Sequence, residues 1–187
     1  MEISENNDIV YFINNNNIWS SENQFIPSDY ILPGTNKAIE YLCDNYINDY
    51  ILCVKYDDNT TQLGFSETSN SSDEDLEVTM LRGIAEEINI LFDVSTVKKA
   101  VMKYFHRKRR IHSYCLKIED TTEIVQLNNV KMKKRKDRYY KALILLHGSA
   151  NVLRDKINKF SSCETGIIGF VLVPVKKVCE LYNLKHQ

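Results

Sequence analysis

The sequence predicts an α/β fold in which a mixed sheet is layered with helices, and three observations predict it. Apolar, strand-forming runs recur at Tyr50–Tyr56, Ile111–Ile118, Tyr139–His147 and Ile167–Val173, the pattern of buried strands. Between the first two runs, Leu76, Met80, Ile84 and Ile88 recur every four residues, with Leu81 and Ala85 beside them. That spacing draws one apolar stripe along a helix. A last helical pattern covers Lys176–Leu184, just after Pro174. Strands, a central helix, more strands and a closing helix describe an α/β sandwich.

Each element has a local reason. Residues 1–36, with the run Asn14–Asn17 and the loop Pro27 to Gly34, read as an irregular lead-in with a short strand at Ile9–Ile13. Residues 37–187 then form the domain. Ala38–Tyr46 opens it as a short helix or the start of a strand. Asp57-Asp58-Asn59 ends the Tyr50–Tyr56 strand as a turn, Gln62–Phe65 is a second short strand, and Ser66–Ser72 is a polar loop. Ser72 and Asp75 form a capping box for the helix over Leu76–Ile90. Asp73, Glu74 and Asp75 favour the positive end of its dipole. Glu123–Val130 reads as a further strand, and Asn151–Phe160 as a short helix or ordered loop.

Composition narrows the class. In 187 residues, 43% hydrophobic and 10% aromatic content is enough for a packed core and argues against a disordered chain. The longest apolar stretches, such as Ile167–Val175, are far too short to span a bilayer. Met1-Glu2-Ile3-Ser4-Glu5 is acidic and lacks the pattern of a secretory signal. The expectation is a soluble, cytoplasmic protein. Asn-, Ile-, Lys- and Tyr-rich usage suggests an AT-rich genome, such as that of a large DNA virus, a protist or an intracellular parasite. Five cysteines, an odd number with no CxxC, are read as reduced and mostly buried thiols. His106, His112 and His147 show no zinc-ligand spacing.

The net charge of −1 hides an asymmetry. Residues 1–102 carry 5 basic and 18 acidic side chains, residues 103–138 carry 12 and 4, and residues 139–187 carry 7 and 3. An acidic half followed by a basic stretch suits metal-assisted chemistry on a polyanion. Carboxylates would hold the cation and a separate basic surface the phosphates.

Those carboxylates fall in one motif. Gly64-Phe65 leads through Glu74 to Arg82, Ile84, Glu86, Glu87 and Ile90. Residues 64–91 thereby resemble, without a gap, the Nudix box G-x5-E-x7-R-E-U-x-E-E-x-G-U, in which U is a bulky aliphatic. Three positions depart from it: Thr68 for the first Gly, Gly83 for the Glu after Arg, and Asn89 for the last Gly. Carboxylates on one helical face, joined by a loop Glu, give Mg2+ or Mn2+ the oxygen ligands it takes. The resemblance implies a Nudix-type α/β/α sandwich with a mixed sheet and a central Nudix helix. It also implies a metal-dependent pyrophosphohydrolase acting on a nucleotide diphosphate linkage. Glu86 and Glu87 would bind metal and act in catalysis, while Gly64, Glu74 and Arg82 would shape the motif.

A second stretch, Tyr139–Gly148 followed by Glu164, Ile168 and Phe170, is similar to the later half of mRNA-decapping Nudix enzymes. That similarity implies Glu164 as a further catalytic and metal-binding carboxylate, and capped RNA as a substrate. Arg107, Lys108, Arg109 and Arg110, with Lys133, Lys134, Arg135 and Lys136, would follow the phosphates of an RNA. Tyr104, Phe105, Tyr114, Tyr139 and Tyr140 lie nearby for stacking. Gly83 removes a carboxylate that the family uses for metal, so a catalytically impaired Nudix-like module binding RNA or protein is the alternative reading. A structural or virion-type interaction protein is a third.

Overall fold

A computed structural model describes residues 10–14, 19–22, 34–69, 75–126, 140–157 and 166–185. Among them the chain forms β1 (Val10–Asn14), β2 (Trp19–Glu22), α1 (Thr35–Asn45), β3 (Tyr50–Tyr56), β4 (Thr61–Leu63) and β5 (Phe65–Thr68). There follow α2 (Leu76–Ile88), β6 (Ile90–Leu91), α3 (Val94–Lys98), β7 (Met102–His106), β8 (Ile111–Lys117) and β9 (Val125–Gln126). The chain continues with β10 (Lys141–Gly148), α4 (Ala150–Ile157), β11 (Ile167–Pro174) and α5 (Val175–Lys185). The fold is α/β, with a mixed open sheet and five helices among the described residues.

The main sheet runs β2-β1-β11-β3-β10-β8-β7, and only the β10–β8 pair in it is parallel. Because side chains alternate along a strand, each central strand serves two cores. Leu52 and Val54 of β3, Ile144 and Leu146 of β10, and Phe170 and Leu172 of β11 join Met80, Ile84 and Ile88 of α2. Ile51 and Cys53, Leu143 and Leu145, and Val171 and Val173 join Ala38, Ile39 and Leu42 of α1 and Val178 of α5. The sheet is thus sandwiched, with α2 and α4 packed on one face and α1 and α5 on the other. No described helix is long and apolar enough to cross a membrane.

Several elements differ from the sequence expectation. The lead-in is more ordered than read: β1 pairs with β11, and β2 with β1, which extends the sheet at one edge. A strand was not expected at Met102–His106, whose apolar–polar alternation is broken by Phe105 at an exposed position, yet β7 closes the opposite edge on β8. The α2 helix starts on schedule, but its N-cap is Asp75 with no side-chain capping bond, and Ser72 lies outside the described residues. The reading of five reduced cysteines is corrected. Cys43 of α1 and Cys179 of α5 are disulfide-bonded with Cα atoms 6.3 Å apart, because the two helices pack side by side. Cys53 and Cys115 are buried free thiols, and burial pushes the Cys115 thiol up to about 12.

Candidate active site

The site begins where the sheet splits. β10 pairs with β3 only at His147↔Ile51 and Gly148↔Tyr50, and beyond that point the two strands part. β4 hangs on β3, β5 hangs on β10, and Gly64 is the single residue between them. Gly64 has φ +78°, and a Cβ there would stand 3.0 Å from the Ile144 carbonyl oxygen. Left-handed backbone and a close approach both call for glycine. The motif's Gly-Phe step is therefore the hinge that sends the chain from β3 across to β10.

Beyond the hinge, β5 turns Phe65 and Glu67 toward α2, in register with Ile144 and Ala142. Here α2 approaches closely. A Cβ on Gly83 would meet the Glu67 Cβ at 2.8 Å and the Ser66 carbonyl oxygen at 3.6 Å. Gly83 is thus the residue that lets helix and strand touch, and Glu67 stands against the place where a side chain at 83 would begin. Glu67 is a buried carboxylate, 8% exposed, and its Oε1 accepts a hydrogen bond of 2.9 Å from the Thr68 N–H. Sequence reasoning missed it. Its only signal is the two-residue alternation from Phe65, which becomes informative once the facing helix is known.

The neighbouring residue on the helix ties the loop down. Arg82 Nη2 donates 2.6 Å to the Thr68 carbonyl oxygen, so the guanidinium links α2 to the end of β5. The bond spans 14 residues and joins two parts of the motif region. At the other end, Asn89 closes the helix with φ 58° and its N–H on the Ala85 carbonyl. Asparagine is among the few residues that tolerate this left-handed cap. Asn89 thus adopts a left-handed conformation that glycine also accepts.

Glu86 and Glu87 occupy the last turn of α2. Glu86 is only 3% exposed, and Glu87 is half-buried. These are hard oxygen donors of the type Mg2+ or Mn2+ takes, and magnesium is often held by one or two carboxylates plus substrate phosphates. Among the described residues no group of three His, Cys, Asp or Glu side chains could hold a metal ion. Glu74 and Glu164, the other carboxylates expected in the set, lie outside the described residues.

The basic residues divide in the same way. Lys133, Lys134, Arg135, Lys136 and Tyr139 lie outside the described residues, whereas Arg107, Lys108, Arg109 and Arg110 form the exposed turn between β7 and β8. That turn borders the motif. Arg110 accepts a hydrogen bond of 3.0 Å from the Lys141 N–H through its carbonyl, and Lys141 stands opposite Thr68 in the sheet. The four basic residues and the Arg82–Thr68 link therefore share one end of the sheet. Of the aromatics expected to stack, Tyr114 is buried, with its hydroxyl 3.5 Å from Glu77 Oε1. Burial first, then the Glu77 charge, pushes that hydroxyl up to about 12. Phe105 is exposed and Tyr140 half-buried.

A second, part-buried polar cluster sits at the far end of β10. His147 Nδ1 and Lys117 Nζ both reach Asp49 Oδ2, at 2.9 and 2.6 Å, and the Tyr46 ring lies against both. Burial raises the Asp49 carboxyl, but the hydrogen bonds and charges of His147 and Lys117 outweigh it and hold the group below its ordinary range. Comparisons of the chain with protein-family models, with curated proteins and with solved structures find no match.

Proposed function

We propose that this chain is a Nudix-type pyrophosphohydrolase, dependent on Mg2+ or Mn2+, acting on a nucleotide diphosphate linkage such as that of capped RNA. One observation carries the reading: Arg82 bonds the Thr68 carbonyl from the helix that bears Glu86 and Glu87. Motif positions on a loop and on a helix are thereby locked together, as a site for a charged substrate needs. When bound, the cation would polarise the phosphoryl oxygen and activate water. Glu86 and Glu87 would hold it, Gly64 and Arg82 would keep loop and helix in place, and the Arg107–Arg110 turn would take the phosphates of a longer substrate. Glu74 and Glu164 complete the proposed set.

The test is a release assay on capped RNA, dinucleoside polyphosphates and nucleoside diphosphate sugars, with each cation. Glu87→Gln is expected to lower turnover by about a hundredfold, in line with a disturbed metal site, and to leave the melting temperature almost unchanged. No turnover of any substrate by the parent chain would reject the reading.

The close contact of Glu67 with Gly83 favours a second reading, a Nudix-like module that binds RNA or a protein without hydrolysis. It predicts nucleic-acid or partner binding that survives Glu87→Gln and needs no cation.

A further inference from the structure

At the β7 edge the sheet continues past α2 and carries rings on the same face. Phe105 and His112 are cross-strand partners, and their rings stack with centroids 4.3 Å apart and planes 20° from parallel. His112 in turn meets the Tyr140 ring edge-on at 5.5 Å, and the Tyr140 hydroxyl lies 3.4 Å from Thr79 Oγ1 on α2. A row of rings therefore leads from the sheet edge to the motif helix. Phe105, at its outer end, is 43% exposed although it is the most apolar side chain in the row. Directly after it in the chain come His106 and the exposed Arg107-Lys108-Arg109-Arg110 turn.

We propose that the Phe105–His112 ring stack is a base-stacking platform for single-stranded nucleic acid, with the phosphates on either side of the stacked base held by the Arg107–Arg110 turn. The inference rests on the phosphate-binding reading of that turn, not on hydrolysis. Charge complementarity selects the occupant, since an exposed aromatic flanked by four cations suits a polyanion that carries flat apolar rings. Unpaired bases are required because paired ones have both faces covered by their neighbours. Packing against Phe105 holds His112 in a fixed plane. Its burial keeps the imidazole below its ordinary range, with Glu77 pulling the other way, so the platform is a neutral ring system at pH 7.

Binding of a fluorescein-labelled ten-residue oligouridylate, in EDTA so that no cation-dependent hydrolysis takes part, tests the proposal. Phe105→Ala is expected to weaken binding by about tenfold, the loss of one base–aromatic stack. Phe105→Trp should retain affinity, and its added indole should be quenched by the oligonucleotide beyond any change in the parent, which has one Trp. Wild-type affinity in Phe105→Ala, or equal affinity of the parent for a blunt duplex, overturns the platform. If Arg109→Ser weakens binding while Phe105→Ala does not, backbone binding stands and stacking falls. No binding by the parent overturns both. Turnover in the Glu87→Gln assay is independent of every one of these outcomes.

Discussion

The two faces of the sheet use the same strands and end in different chemistry. On the α1/α5 face, Ala38, Leu42 and Val178 pack on Ile51, Leu145 and Val173, and the Cys43–Cys179 bond joins the helices above them. On that side Thr35, Lys55, Thr61, Ser113 and His147 are buried polar residues, and at one end His147 and Lys117 are matched by Asp49. On the α2 face the helix brings Thr79 and Glu86 into the interior, and β5 adds Glu67. Burying polar side chains is costly unless they are matched, and both faces carry them. The α1/α5 face takes its buried polar groups mainly from strands, whereas on the α2 face the helix itself supplies Thr79 and Glu86.

Removal of core volume should have the largest effect and should fall on both faces alike. Leu42→Ala and Ile84→Ala each delete a fully buried side chain, and each is expected to cost about 2–5 kcal/mol in urea unfolding. The faces should separate in turnover of the folded fraction, which Ile84→Ala should lower and Leu42→Ala should spare. Equal loss of activity in both would dissolve the distinction between a scaffold face and a working face.

Gly83→Ala sharpens the comparison at the contact itself. The added methyl meets the Glu67 Cβ at 2.8 Å, with strand backbone close behind, so a destabilisation of about 1–3 kcal/mol is expected. In combination with Glu67→Gly, which removes the opposing atoms, the penalty should be less than the sum of the two single changes, since contacting residues couple. Strict additivity in denaturant melts would mean that helix and strand do not meet there.

A smaller effect concerns acid and the opposite face. The folded-state carboxyl of Asp49 is held below its ordinary value, and the unfolded group titrates near 3.9. Its contribution is therefore fully present above about pH 4 and is lost as pH falls through the lower, folded value. Asp49→Asn should flatten that acid limb of the stability curve and leave the salt dependence of RNA binding unchanged. An identical acid limb in the variant would show that other carboxylates account for it.

The Arg107–Arg110 turn offers a counterpart with little bearing on stability. Replacing all four residues with Ser should change unfolding by less than about 0.5 kcal/mol, as exposed substitutions usually do. The log–log salt slope of RNA binding should flatten by about two to three units, at about 0.7 per released phosphate contact. A slope near zero in the parent would leave the turn as solvated surface.

Much of this architecture is carried by short-range pattern. The four-residue period of Met80, Ile84 and Ile88 makes α2, and these side chains are buried as that period requires. Apolar runs make β3, β8, β10 and β11, and the basic residues at 107–110 make an exposed turn. In each case the cause lies within a few residues, because helical and strand periodicity are local properties of the backbone. Other features depend on partners far away in the chain. Cys43 meets Cys179 across 136 residues, β1 finds β11, and Tyr114 is buried by the helix that carries Glu77. Gly83 reads from the motif as a missing carboxylate; in the fold it is the space that Glu67 and β5 require. Composition and periodicity determine which residues can form a helix or a strand and which can carry charge. Tertiary register alone decides which of them face one another, since shifting a strand by one residue turns every side chain to the opposite face.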